Sequence, residues 1–108
     1  MLEIRIDVIS VPDYNDSFSK YRINGKEYQL RFSWNDTEQR WYFGVFDALR
    51  NPIFQGVKAV PQIALNQFCG IDEMYQGAFL VQTDQETVGR QDFLNGKAQF
   101  VYAYLEDV

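Results

Sequence analysis

The chain has 108 residues, 46% of them hydrophobic and 17% aromatic, with a net charge of −5 and no histidine. That length suits one domain spanning residues 1–108 with one core, and the composition argues against intrinsic disorder. An acidic chain is repelled by phosphate backbones and anionic lipid, which counts against nucleic acid and membranes as partners. The lone cysteine, Cys69, excludes an internal disulfide framework, as expected for a protein made in a reducing cytoplasm.

The first predicted element is a strand in which Leu2, Ile4, Ile6 and Val8 alternate with Glu3, Arg5 and Asp7, the period of a strand with one face buried. The same alternation cannot serve as the apolar stretch of a signal peptide, and no apolar run nears the ~20 residues of a membrane span. A soluble chain is expected. A polar loop around residues 11–16 follows, then a strand-like run from Phe18 to Ile23, then Asn24-Gly25.

Asn-Gly between two strand-like runs is a strong hairpin signal, because both positions of the tight turn need φ > 0. A two-residue turn sets Ile23 opposite Lys26, Arg22 opposite Glu27 and Tyr21 opposite Tyr28. The next loop, Asp36-Thr37-Glu38-Gln39, read as a four-residue connection, pairs Trp34 with Trp41, Phe32 with Phe43 and Leu30 with Val45. Residues 17–47 therefore predict a three-stranded meander with an aromatic inner face, on which both tryptophans are buried.

A turn over residues 48–52 leads to a strand from Ile53 to Lys58. Residues 59–76 are a mixed run in which Ile63 to Phe68 fit either a helical turn or an extended segment. Gly77 to Thr83 predicts a strand, Gln91 to Leu94 a turn of helix within a polar loop, and Lys97 to Leu105 a last strand. That strand is apolar on both sides (Phe100, Tyr102, Tyr104; Val101, Ala103, Leu105), so it is central or lies at an interface. The fold class is all-β, a small single-domain β-sandwich or partly open barrel with an N-terminal antiparallel meander.

The residues of catalysis are largely missing. Without histidine there is no imidazole base, no nucleophile triad and no ordinary zinc site. Cys69 has no basic neighbour in sequence to lower its pKa and reads as a buried structural thiol. No serine lies in a G-x-S-x-G elbow, and the glycines do not form a phosphate loop. Asp13, Asp16, Asp36, Glu38, Asp84 and Glu86 all fall in predicted loops, where acidic residues are ordinary turn formers. The stretch from Asp84 to Asn95 has Gly89 at the sixth place of a calcium loop. Val88 takes a ligand position, and Asn95 stands where a closing acid is needed. Asn15-Asp16-Ser17 and Asn35-Asp36-Thr37 match glycosylation sites by chance and serve as turns. No enzyme activity, no cofactor and no metal are expected.

Binding is the better prospect. Nine Phe and seven Tyr exceed what one small core requires, so some should meet a partner. On the outer face of the meander the registers gather Phe18, Arg31, Tyr42 and Phe46 beside Gly44. Such a face is either a second core layer covered by the 59–76 segment or a docking surface, and these four are the candidate protein-interface residues. Lys20, Arg22 and Arg31, with Phe18 among them, leave a nucleic-acid-binding barrel as an alternative, though Glu27 opposes Arg22.

The run Tyr28-Gln29-Leu30-Arg31-Phe32-Ser33-Trp34-Asn35, then Trp41-Tyr42-Phe43, Asp47 and Pro52-Ile53, resembles the baseplate plug proteins of contractile-tailed bacteriophages. The similarity continues through Gly77 to Val81 and from Asp92-Phe93-Leu94-Asn95-Gly96 to Tyr102. After Asp47 this chain has Leu49-Arg50-Asn51 where the family usually carries a glycine. The resemblance implies a structural virion protein in the tail baseplate, assembled in the host cytoplasm and blocking the central tail channel. It implies other baseplate, hub or tail-tube proteins as partners, leaves a homo-oligomer open, and offers no catalytic residue. An oligonucleotide- or carbohydrate-binding β module is the alternative.

Overall fold

The computed structural model describes residues 1–23, 25–61, 63–65 and 77–107. In chain order the elements are β1 (Leu2–Ile9), β2 (Asp16–Ile23), β3 (Lys26–Asn35), β4 (Arg40–Asp47), β5 (Pro52–Lys58), β6 (Gly77–Thr83), α1 (Asp92–Asn95) and β7 (Ala98–Asp107). They build two antiparallel sheets, β2-β3-β4-β5 and β1-β7-β6, packed face to face as a sandwich.

The four-stranded sheet has the register that alternation and loop length dictate. Ile23 faces Lys26 and Tyr21 faces Tyr28; Phe32 faces Phe43, Leu30 faces Val45 and Trp34 faces Trp41. Gly25 has φ +79°, the left-handed conformation such a turn needs, while Asn24 lies outside the described residues. In the second loop Asn35 Oδ1 accepts the Glu38 amide at 3.0 Å and Gln39 Nε2 donates to the Asp36 carbonyl at 2.7 Å. These side chains close the turn where the backbone alone would leave polar groups open.

The inner faces meet through rings. Phe43 lies 4.7 Å from Phe100 and 4.9 Å from Phe79, and Phe32 stands edge-on to Phe100 at 4.9 Å. The tryptophans differ in depth. Trp41 is buried, its indole donating to the Gly89 carbonyl at 3.2 Å with Arg90 5.2 Å over the ring. Trp34, 5.5 Å away, is only half-buried. The expectation that both are buried is corrected for Trp34, which stands near the end of β3, where its indole reaches Asp36 Oδ1 at 3.4 Å.

β7 is the middle strand of the second sheet, one of the two places that its two apolar sides allowed. Phe100, Tyr102 and Tyr104 point into the sandwich with Phe79 and Val81 of β6. A Cβ at Gly77 would clash with the hydroxyl end of the Tyr102 side chain. Gly77→Ala is therefore expected to force that ring aside and cost about 1–3 kcal/mol, read as a shift in the urea midpoint at unchanged m-value.

β1 departs from the sequence expectation. Leu2, Ile4, Ile6 and Val8, expected inside, are 52–71% exposed. The cause is the register with β7, which sets Asp7 opposite Tyr102 and Ile9 opposite Phe100. The odd-numbered side of β1 is thus the inner one, and the aliphatic side faces away from the core. Asp7 accepts the Tyr21 hydroxyl at 2.9 Å, a polar link between the sheets.

Burial, helped by Asp7, raises the pKa of Tyr21 well above its ordinary 10.0, and burial also raises that of Tyr102. A raised tyrosine pKa favours the neutral form in the folded state. Its stabilisation is complete below pH 10 and is lost as pH climbs toward the folded values. Alkaline titration followed at 295 nm should therefore show exposed tyrosines ionising first and Tyr21 and Tyr102 only as circular dichroism reports unfolding.

Around the 59–76 segment, the Ala59 amide donates to the Trp41 carbonyl at 2.9 Å and the Leu65 amide to the Phe79 carbonyl at 2.8 Å. Both residues are buried. The expectations for residues 66–76, Cys69 among them, fall outside the described residues.

Candidate interaction surface

The outer face of the four-stranded sheet is built by pairing. Phe18 on β2 opposes Arg31 on β3, Arg31 opposes Gly44 on β4, and Gln29 opposes Phe46, so all four candidate contact residues share that face. Gly44 is required by a close crossing. β5 slips register opposite it, and a Cβ there would meet Gln55 Cα and the Phe54 carbonyl oxygen at 3.1 Å.

Phe46 is buried, in edge contact with Phe18 at 5.2 Å. The Arg31 guanidinium lies 5.7 Å from the Phe18 ring centre and that of Arg50 lies 4.3 Å from it. The face therefore has two levels: Phe46 beneath, and half-buried Phe18, Arg31 and Tyr42 above it. A partner would meet the upper level, with Phe46 as its support.

Each upper residue is oriented by a second group. Arg31 grips Asp16 through Nε at 2.9 Å and Nη2 at 2.8 Å. That hydrogen bond holds the Asp16 carboxyl below its ordinary 3.8. Tyr42 donates to Glu38 at 2.8 Å, which raises its pKa, and Lys58 stands 3.6 Å from the other Glu38 oxygen. Between Arg31 and Tyr42 runs a shallow groove of about 280 Å³, with Gly44 and Gly56 among its lining residues.

Arg50 was not singled out from sequence. It occupies a left-handed position at φ +64° in the turn after β4, a conformation usually given to glycine. Asp47 stabilises that turn, its Oδ1 accepting the Leu49 and Asn51 amides at 2.9 Å each. Arg50 then reaches back to Gln29 Oε1 at 3.0 Å and covers Phe18. The Asp-led turn was legible, but the cation it throws over the aromatic face was not.

Several of the other singled-out groups are engaged within the chain. Arg22 donates to the Gly25 carbonyl at 3.3 Å, and Arg31 is held by Asp16, so two of the three basic residues on this face already have acceptors. Asp13 pairs with Arg90 at 3.1 Å. In the calcium-like loop, Asp92 Oδ2 accepts the Gly89 amide at 2.7 Å and Gln85 Nε2 at 2.6 Å. A side chain of the protein closes that loop. Among the described residues no three His, Cys, Asp or Glu side chains gather as metal ligands.

The family model for the cyanophage baseplate Pam3 plug gp18 matches residues 1–106. The chain belongs to that family. No curated protein matches it. Membership makes it a structural protein of the phage tail baseplate and makes other baseplate proteins its neighbours. The sandwich, with its aromatic core and polar, internally paired loops, is a body suited to that setting.

Proposed function

We propose that the chain is a non-enzymatic plug that closes the central channel of a contractile-tail baseplate, held there by protein contacts through the outer face of the four-stranded sheet. Family membership over residues 1–106 carries the proposal. The contact residues are Phe18, Arg31 and Tyr42, with Phe46 supporting them from below. Aromatics and arginine on a flat face give much contact area for little lost side-chain freedom. The pairings of Arg31 with Asp16 and of Tyr42 with Glu38 hold these side chains in place before a partner arrives, which lowers the entropic cost of docking.

Phe18→Asp and Tyr42→Asp are expected to leave the circular dichroism spectrum unchanged and to abolish incorporation into tails, measured by mass spectrometry of purified particles. Particles assembled without the protein should have an open tail tip. Absence of the protein from wild-type virions would refute the plug assignment. Normal incorporation of both variants would move the contact to another face. Salt-dependent binding of single-stranded DNA in a fluorescence titration would favour a nucleic-acid-binding module instead.

A further inference from the structure

We infer that β1 is a receiving edge, to which another protein adds an extended strand that is aliphatic on one face and basic on the other. Among the described residues the sandwich has four sheet edges, and three of them are guarded. β5 carries Pro52, two register slips and Lys58. β2 carries Asp16, Lys20 and Arg22 toward solvent. β6 is partly covered by Leu65, whose amide donates to the Phe79 carbonyl at 2.8 Å. Proline, bulges, charges and covering loops are the ordinary means of blunting an edge.

β1 has no proline and no register slip, and its exposed charges, Glu3, Arg5 and Asp7, lie on one side only, opposite an exposed aliphatic side. Its ladder with β7 runs unbroken from Leu2 to Ile9, and among the described residues it has a strand neighbour on one side only. Leu2, Ile4, Ile6 and Val8 line its outer face in solvent, and the neighbouring Leu105 on β7, opposite Ile4, is exposed as well. Their exposed apolar surface is on the order of a few hundred Å², comparable to the largest apolar patch of a typical monomer, which is often functional.

An added strand satisfies both features together: its backbone pairs with the free edge, and its alternate side chains extend the aliphatic stripe. The opposite face fixes the chemistry of the incoming strand. There Glu3, Asp7 and Glu106 stand against Arg5, which bonds Glu106 at 2.6 Å and approaches Glu3 at 3.6 Å. The surplus is negative, as is the whole chain at −5. Lysine or arginine on the inner side of the added strand complements it. A second copy of this acidic chain does not.

The inference stands on β1 alone and does not depend on the outer face of the other sheet. A fluorescent nonapeptide of alternating valine and lysine should bind the full chain, weaken as salt is raised, and slow hydrogen exchange of β1 amides. A valine–glutamate peptide should bind at least about tenfold more weakly. The double variant Ile4→Lys/Ile6→Lys should lose binding while keeping the wild-type circular dichroism and melting temperature, since both side chains are exposed. Ile4→Ala, which trims area without adding charge, should lose part of it. The inference is overturned if the valine–lysine peptide fails to bind, or binds without protecting β1. It is overturned too if the β1 amides that point away from β7 are already protected in the free monomer. Sedimentation showing a dimer that Ile4→Lys abolishes would assign the stripe to a second copy and overturn it equally.

Discussion

Trp41→Ala is expected to lower stability by about 3–5 kcal/mol, the range for truncating a large aromatic in a packed core. The indole joins parts of the chain that are far apart in sequence. It touches Trp34 on β3 and lies 6.0 Å from Phe93 of α1, and its N–H ends on Gly89. Arg90, stacked on the ring, in turn holds Asn15 at 2.8 Å and Asp13 at 3.1 Å. Removing the ring leaves a cavity and unties both loops. For a domain of this size each kcal/mol moves the melting temperature by about 4–8 °C. A drop on the order of 15 °C is therefore expected by calorimetry. Trp34→Ala, at a half-buried position, should cost clearly less. Equal losses at the two sites would contradict the difference in depth.

Phe46→Asp is expected to cost about 4 kcal/mol or more, adding the desolvation of a carboxylate to the lost ring. Phe46 sits beneath Phe18 with little solvent contact, although its strand position puts it on the outer face. Denaturant titration should show Phe46→Asp largely unfolded beside a folded Tyr42→Asp. Phe46→Leu, which keeps most of the volume, should cost less than about 1.5 kcal/mol. A stable Phe46→Asp would mean that the lower level of the face is open to solvent.

The contrast between Phe46 and Tyr42 shows where sequence reading stops. Alternation put both on one face, and the register bears this out to the residue. Depth on that face depends on what lies above each position. Phe18 packs against Phe46, and Arg50, in a left-handed turn conformation without glycine, lies over Phe18 in turn. No local pattern announces that. The meander itself was legible because Asn24-Gly25 and the loop of residues 36–39 fix loop length, and large inward residues make any other pairing costly. β1 was legible as a strand but not in its orientation. Period 2 separates an apolar side from a charged side, and only the pairing with β7 decides which of them turns inward.

That same pairing governs the order in which the molecule can assemble. The four-stranded sheet joins neighbours in sequence and can form as soon as residues 16–58 exist. The second sheet cannot. β1 ends at Ile9 and its partner β7 begins at Ala98, so the first strand made must wait for the last. Such distant pairing places folding in the slower range for small domains, on the order of milliseconds to seconds. During synthesis on the ribosome, β1 is an unpaired aliphatic strand for nearly the whole passage of the chain, exposed to aggregation until β7 emerges.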